Sequence, residues 1–431
     1  MKGINVGLLG FGTVGSGVVK ILKEKQTLLQ DKIGTKIVLK KICDKNIELK
    51  RIVKIDKDML TTDPYEVITD PQIDILIELI GGINPAKEYI MEALKNGKHI
   101  VTANKALLAQ EGKEIFATAK KHQRCVYFEA SVGAGIPIIK SIREGLIANR
   151  FLNIHGILNG TSNFILTRMS EDNFSFREAL KEAKKQGYAE ADPRLDIEGI
   201  DSAHKLIILA YLCYGKLFDI NDIYVEGISR ISSADIIYAK DMGFNIKLLA
   251  IAKKIKNELE MRIHPTLIPY NHLLSSVRGI FNAIYISADL VDDLLFYGPG
   301  AGQMSAASAV VADLVDLTRH IKAGIFSPVM EIIEDRMVGR LKNIEDIESR
   351  YYIRFLAIDK PGVLAKIAGI LGKYQISIAS VTQKERKKQK IVPIVMITHE
   401  AKEKNLKEAL FRVGQLNVIK DKPVAIRIEE L

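Results

Sequence analysis

Hydrophobic and polar positions fall into two registers along this chain. Ile4–Leu9 is a short apolar run that ends in Gly10-Phe11-Gly12-Thr13-Val14-Gly15, and an amphipathic run covers Val18–Lys25. An apolar run of that length before glycine predicts a buried strand, and the periodic run after it predicts a helix. The alternation continues. Lys36–Cys43 predicts a strand, as does Ile73–Ile80, which is interrupted by Glu78 and closed by Gly81-Gly82. Pro85–Asn96 predicts a helix with proline early and Gly97 just past its end. His99–Ala103 and Cys125–Val132 predict two more strands, and Pro137 opens a helix running to about Leu146. Strands alternating with helices predict an α/β fold with a doubly wound, Rossmann-type parallel sheet.

From Arg150 the pattern changes. Phe151–Leu158 predicts a strand, and Asn159-Gly160-Thr161-Ser162-Asn163 opens a helix. Phe176–Gln186 is helical and stops at Gly187. Leu206–Tyr214 predicts a buried helix, with Lys205 at its edge and an acidic loop before it. Met261–Pro269 and Ala283–Asp289 predict strands, and Gly298–Gly302 leads into a small-residue helix over Met304–Leu317. Ile321–Ser349 reads as a connector. Six elements then follow: strand Tyr351–Ile358, helix Val363–Lys373, strands Ile376–Gln383 and Ile391–Thr398, helix Asn405–Val413 and strand Val424–Ile428. That βαββαβ order is ferredoxin-like. The domains expected are 1–132 for nucleotide binding, 133–320 for an α+β substrate-binding and dimerisation domain, 321–350 as connector and 351–431 as a small terminal module. The last helix of the second, about 303–320, is expected to return to the first.

Composition narrows the class. With 431 residues, two or three domains are expected, and 47% hydrophobic with 26% charged residues is ordinary for a globular protein. The formal net charge of +10 suits anionic ligands. The dense basic run Lys384–Lys390 reads as a solvated loop, so a nucleotide phosphate is expected rather than nucleic acid. Three scattered cysteines, Cys43, Cys125 and Cys213, make no CxxC, and the eight histidines make no HExxH. A reducing compartment without disulfides or structural zinc follows. The N-terminal run resembles a signal peptide only superficially, because its regular glycines have another use. No stretch approaches the roughly eighteen apolar residues of a membrane span. A cytoplasmic protein is expected.

The glycines carry the first chemistry. Gly10 permits a tight turn, Gly12 leaves room for a pyrophosphate, and Gly15 lets helix and strand pack closely. The N-terminus of the following helix favours phosphate. Asp44, after the second strand, could accept from an adenosine ribose 2′-OH or be a solvated turn residue. Lys40, Lys41 and Lys45 around it could welcome a 2′-phosphate, so NAD and NADP both stay open. Asn104-Lys105 sit at a strand tip, where open α/β sheets bind ligands. The turn Gly133-Ala134-Gly135 could bind an anion, expose carbonyls to a cation or act as a hinge.

Several separated motifs agree with one family. GFGTVGSG, TANKALLA (Thr102–Ala109), EASVGAGIP (Glu129–Pro137), NGTSNFIL (Asn159–Leu166), GYAEADPRLDIEGIDSAHKL and YGPGAGQMSAASAVVADL resemble homoserine dehydrogenases, in order over nearly the whole chain. DKPGVLAKIAGIL and the βαββαβ order resemble an ACT domain. The resemblance implies NAD(P)-dependent interconversion of L-homoserine and L-aspartate 4-semialdehyde, in threonine, methionine and isoleucine biosynthesis. It implies Lys205 as proton donor to the aldehyde oxygen and Lys105 as a second active-site lysine. It implies Glu190 and Asp201 at the substrate ammonium, with Thr161, Tyr188 and Asp196 also in substrate-binding positions. Gly10, Gly12, Thr13, Val14, Gly15, Thr102, Lys105, Gly187 and Gly302 are implied at the cofactor. Glu129, Val132, Ala134 and Ile136 are implied at a monovalent cation, Na+ or K+, mostly through carbonyl oxygens. L-threonine as an effector of the ACT domain and a homo-oligomer of at least two chains are further expectations. Hydride addition to a carbonyl builds charge on oxygen that a lysine can stabilise and protonate. An acylating aldehyde dehydrogenase would need a cysteine nucleophile at the matching strand tip, and none stands there, which weakens that reading. The remaining alternative is a catalytically silent NAD(P)-bound amino-acid sensor.

Overall fold

Ile4–Leu9 (β1) forms because six residues of mostly apolar character can be buried between helices on both faces of a parallel sheet. In this computed structural model the described residues are 3–49, 51–325, 339–383 and 391–430. The basic run Lys384–Lys390, and residues 326–338 of the connector, lie outside them. The chain forms two compact units: residues 1–152, 201–223 and 281–338, and residues 153–200, 224–280 and 339–431.

The first unit is built on β1, Ile37–Cys43 (β2), Leu60–Thr61 (β3), Ile75–Glu78 (β4), His99–Thr102 (β5) and Val126–Tyr127 (β6). All pairings are parallel, in the order β3-β2-β1-β4-β5-β6. The order reverses between β1 and β4, so the crevice beyond their carboxyl ends is the ligand position of such sheets. Val6, Leu8, Ile42, Ile75, Leu76, Ile77, Ile100 and Val101 are fully buried in its core.

The predicted strand Cys125–Val132 is shorter than expected. It ends at Tyr127, and Glu129–Ser131 make a tight turn instead. The reason is Glu129, whose carboxylate turns inward and accepts from the N–H groups of Ile139 (2.9 Å) and Lys140 (2.8 Å). Those are donors at the start of the next helix, which has no earlier partners for them.

Helices Lys105–Lys121 and Ile200–Tyr214 pack in this unit, with the Phe116 and Tyr211 rings stacked at 5.4 Å. So does helix Gln303–Ala323, which lies on helix Thr13–Glu24. A Cβ at Gly17 would come within 2.9 Å of the Ala307 methyl, which explains the small residues on both helices. Phe281–Ala288 and Asp292–Pro299 form an antiparallel hairpin.

The second unit contains Phe151–Ile157 (β7), Phe244–Ile255 (β8), Glu258–Pro269 (β9), Glu348–Ile358 (β10), Ile378–Thr382 (β11), Ile391–Thr398 (β12) and Val424–Ile428 (β13). They hydrogen-bond in the order β7-β8-β9-β13-β10-β12-β11. The last four are antiparallel neighbours and carry helices Val363–Lys373 and Glu403–Gly414, so the terminal module has the expected ferredoxin-like fold. Its strand β13 also pairs in parallel with β9, through Thr266–Arg427 and Leu267–Ile428. One sheet therefore runs from β7 into the module. β8 was not anticipated. Its sequence, FNIKLLAIAKKI, is rich in helix formers, and twelve-residue pairing with β9 overrides that preference.

Ion pairs are buried where the module meets its neighbours. Asp235 is fully buried, and Arg354 of β10 donates to it at 2.7 and 3.1 Å. Tyr352 adds a third bond at 3.1 Å. Arg427 of β13 donates to Glu403 at 2.9 and 2.6 Å and to Glu226 at 3.1 Å. Removing one partner of such a pair strands the other in the core. Asp235→Ala is expected to destabilise the protein by about 3–5 kcal/mol. Urea unfolding of variant and parent measures it, and a loss within about 0.5 kcal/mol, the range of an ordinary surface change, would contradict the assignment.

Candidate active site

The glycine turn follows the steric logic of a dinucleotide site. Gly10 has φ +97°, and a Cβ there would sit 2.6 Å from the Leu79 carbonyl oxygen. A Cβ at Gly15 would sit 2.1 Å from the Gly10 oxygen, so helix and strand meet there without side chains. Around Gly12 the space is open, with no atom within 4 Å of a built Cβ. That is the opening a pyrophosphate needs, at the N-terminus of helix Thr13–Glu24. Gly302 caps the Gln303–Ala323 helix, and Gln303 donates to the Thr13 carbonyl at 2.9 Å. Gly302 and Thr13 are thus brought together.

Asp44 is engaged within the protein. It accepts from the N–H groups of Phe11 (2.7 Å) and Asn46 (2.8 Å), and Arg51 pairs with it at 3.2 Å. Arg51 also lies over the Phe11 ring and donates to the Phe11 carbonyl at 3.0 Å. Asp44 therefore ties the second strand tip to the glycine turn, a role that a lone acid between lysines did not reveal.

The lysines meet on a carboxylate. The buried helix begins at Ile200, not at Leu206, so Asp201 and Lys205 lie one turn apart on one face. The polar letters DSAHK looked like a loop, but every residue from Asp201 to Tyr214 is buried, as in a helix surrounded by protein. Lys205 Nζ donates to Asp201 Oδ2 at 2.7 Å, and Lys105 Nζ lies 3.0 Å from Asp201 Oδ1. One carboxylate thus bridges both lysines. Its place in the first turn is also where the helix dipole favours an anion. His204 is buried beside them and faces Gln110 at 3.5 Å. Burial, joined by the charges of Lys105 and Lys205 against the pull of Asp201, holds its pKa below the ordinary histidine value.

Thr102 is fully buried, and its hydroxyl donates to Glu78 at 2.7 Å. Near the other glycine turn, Gly133 and Ala134 both have positive φ, 71° and 41°. Val132, Ala134 and Ile136 are buried there. The Glu129 N–H donates to Asp313 at 2.7 Å. Burial raises both carboxyls, Glu129 to about 7 and Asp313 well above the carboxylate range. Asp313 was missed because it sits among the alanines and valines of a small-residue helix.

In the second unit, Thr161, Tyr188 and Asp196 are brought together around helix Gly160–Glu171. The Thr161 hydroxyl donates to the Tyr188 carbonyl at 2.7 Å. Asn159 caps that helix and donates to Asp196 at 2.7 Å, and the Ser162 hydroxyl donates to the Asp196 carbonyl at 2.8 Å. The Tyr188 ring meets Phe164 edge-on at 5.0 Å. Glu190 is exposed and follows Gly187, whose φ is +75°. Asp192 pairs with Arg194 on the surface.

A parallel sheet with its glycine turn, and two lysines meeting on one buried carboxylate in the same unit, point to a nicotinamide-dependent oxidoreductase. Comparison with known proteins gives the particular kind. Residues 10–129 match the family model for the homoserine dehydrogenase NAD-binding domain, 137–315 the homoserine dehydrogenase model and 351–415 the ACT domain. Homoserine dehydrogenase of Neisseria gonorrhoeae is 43% identical over 434 residues, covering 100% of both chains. That of Bacillus subtilis is 40% identical, covering 100% of this chain and 99% of its own. A solved homoserine dehydrogenase from Thiobacillus denitrificans superposes with a TM-score of 0.93 at 43% identity, over 100% of this chain and 99% of that one. A hyperthermophilic archaeal homoserine dehydrogenase in complex with NADPH superposes with a TM-score of 0.63 at 26% identity, over 76% of this chain and 100% of that one. The chain belongs to the homoserine dehydrogenase family and carries a C-terminal ACT domain.

Asp201→Asn keeps the shape but leaves two ammonium groups facing a neutral amide. The variant is expected to lose about 3–5 kcal/mol of stability, the cost of breaking a buried pair. Thermal and urea unfolding check this, and parental stability would show that the lysines do not depend on Asp201.

Proposed function

We propose that Lys205 is the acid–base group of homoserine oxidation and semialdehyde reduction, with Lys105 as its charged partner. The observation that carries this is the Asp201 bridge. In reduction, negative charge develops on the aldehyde oxygen, and the Lys205 ammonium donates a proton to it. In oxidation, the neutral amine takes the hydroxyl proton. Asp201 accepts from both lysines through separate oxygens, so it holds their geometry whichever of them is charged. The apolar body of the helix fixes the Lys205 stem.

For the substrate ammonium, Glu190 is the principal contact proposed, because both oxygens of Asp201 already accept from lysines and offer only their remaining lone pairs. Thr161, Tyr188 and Asp196 shape the substrate-binding segment through the bonds among them. A nicotinamide cofactor, NADP or NAD, supplies or takes the hydride. Gly10, Gly12, Thr13, Val14 and Gly15 would hold its pyrophosphate, with Thr102, Lys105, Gly187 and Gly302 as further contacts.

A monovalent cation, Na+ or K+, is proposed at Glu129, Val132, Ala134 and Ile136. Two buried carboxyls with raised pKa values and a left-handed turn at Gly133-Ala134 suit such an ion, since a positive charge would ease their burial. Among the described residues no cluster of three histidine, cysteine or acidic side chains is set to hold a metal, so backbone oxygens would have to do most of the work. Melting temperature in NaCl or KCl is expected to exceed that in an equal concentration of N-methylglucamine chloride. Identical melting in all three salts would remove the cation from the account.

The ACT domain is proposed to bind an amino-acid effector, with L-threonine the first candidate, and the protein to work as a homo-oligomer in the cytoplasm. No helix among the described residues is long and apolar enough to cross a membrane. The sensor alternative has no use for a lysine pair bridged by a buried acid, and no observation favours it. Because β13 pairs with β9, regulation is better tested on the intact chain than by deleting the module.

A spectrophotometric assay with homoserine and each cofactor, with and without L-threonine, tests the reading. Homoserine-dependent cofactor reduction is expected, and Lys205→Ala should lower kcat by ~10²–10⁴-fold. A folded Lys205→Ala enzyme with near-parental turnover would refute the assigned role.

A further inference from the structure

Glu78 ends a strand whose other residues, Ile75, Leu76 and Ile77, are fully buried and apolar, and Glu78 is itself fully buried. A charge there is costly unless it is well hydrogen-bonded. Three donors answer it. The N–H groups of Ile80 and Gly81 donate to Oε1 at 2.8 and 3.2 Å, and the Thr102 hydroxyl donates to Oε2 at 2.7 Å. The two N–H groups belong to the loop after β4, which turns through Gly81 and Gly82 at φ +74° and +72°.

An ionised carboxylate can only accept, so it dictates the direction of every bond around it. The Thr102 hydroxyl must donate to Glu78, which leaves its lone pairs for the Asn104 N–H at 3.0 Å. The Asn104 side chain then works in both directions. Its amide donates to the Gly82 carbonyl at 2.7 Å, and its oxygen caps the next helix by accepting from Leu107 N–H at 3.2 Å. Lys105 is the first residue of that helix. Two strand tips are thereby locked together, and the lysine that reaches Asp201 starts from the lock.

We propose that Glu78 is a positioning residue of the reaction, a buried acceptor that sets the Thr102–Asn104 hydrogen-bond line and so places Lys105 against Asp201. The proposal rests on the role given to Lys105 above. Glu78→Gln is the sharp variant. Its amide oxygen can still take the two N–H groups. Its NH2 would face the Thr102 oxygen, and the buried hydroxyl proton would lose its acceptor.

The test measures kcat for homoserine oxidation and the melting temperature of Glu78→Gln, Asn104→Ala, the double variant and Lys105→Ala. Glu78→Gln is expected to lower kcat roughly 10- to 100-fold, the scale of a misplaced catalytic group. Adding Asn104→Ala should cost little more, because both changes cut one line. A kcat for Glu78→Gln equal to the parent, or losses that multiply in the double variant, would overturn the proposal. If Glu78→Gln does not fold, Glu78→Asp decides, because its shorter side chain withdraws from the Thr102 hydroxyl: the same kcat loss supports the line, and a parental kcat overturns it. A Lys105→Ala enzyme with parental kcat would instead show that the role of Lys105 is wrong, and the proposal would fall with it.

Discussion

The bridge from Asp201 to Lys105 and Lys205 is the constraint on which the first unit's chemistry depends. A lysine in an apolar helix is expensive, and two close lysines repel. One carboxylate with an oxygen for each resolves both problems. It also explains why the helix starts at Ile200: only a helical Asp201 stands one turn below Lys205. Burial and the two lysines lower the pKa of His204 beside them, which disfavours a further positive charge.

The sheet supplies the second half of the arrangement. Gly10, Asp44, Glu78 and Thr102 sit at or just beyond the carboxyl ends of β1, β2, β4 and β5. Gly10 and Gly15 make the turn after β1, Asp44 fastens that turn from the tip of β2, and Glu78 joins the tips of β4 and β5. The side chains at these tips are held chiefly by bonds to backbone N–H groups. Such bonds fix loops that have little apolar surface of their own to bury. In the second unit the ACT module is continuous with its neighbours through β9 and β13 and through buried arginines.

Much of this was legible in the sequence, for identifiable reasons. The glycine turn, the parallel sheet and the βαββαβ module show as spacing, and helix Val363–Lys373 and strands Ile391–Thr398 and Val424–Ile428 begin and end where expected. Failures came where tertiary pairing outweighs local preference. β8 was not anticipated, the start of the Lys205 helix looked like a loop, and the strand after Cys125 was cut short by a carboxylate that turned inward. The lysines and acids of the site were visible as motifs. That Asp201 serves both lysines was not, because i and i+4 on a helix follow from spacing only once the helix boundary is known. Glu78 and Asp313 left a fainter signal, a single acid in an apolar or small-residue run.

The most direct test of the central claim is chemical rescue. The Lys205→Ala enzyme would be assayed with homoserine and cofactor while small primary amines are titrated in. The account predicts that turnover recovers saturably with amine concentration when Asp201 is present to seat the ammonium, and that recovery is lost in the Lys205→Ala/Asp201→Asn enzyme. No recovery at any amine concentration in a folded Lys205→Ala enzyme, or equal recovery without Asp201, would contradict it.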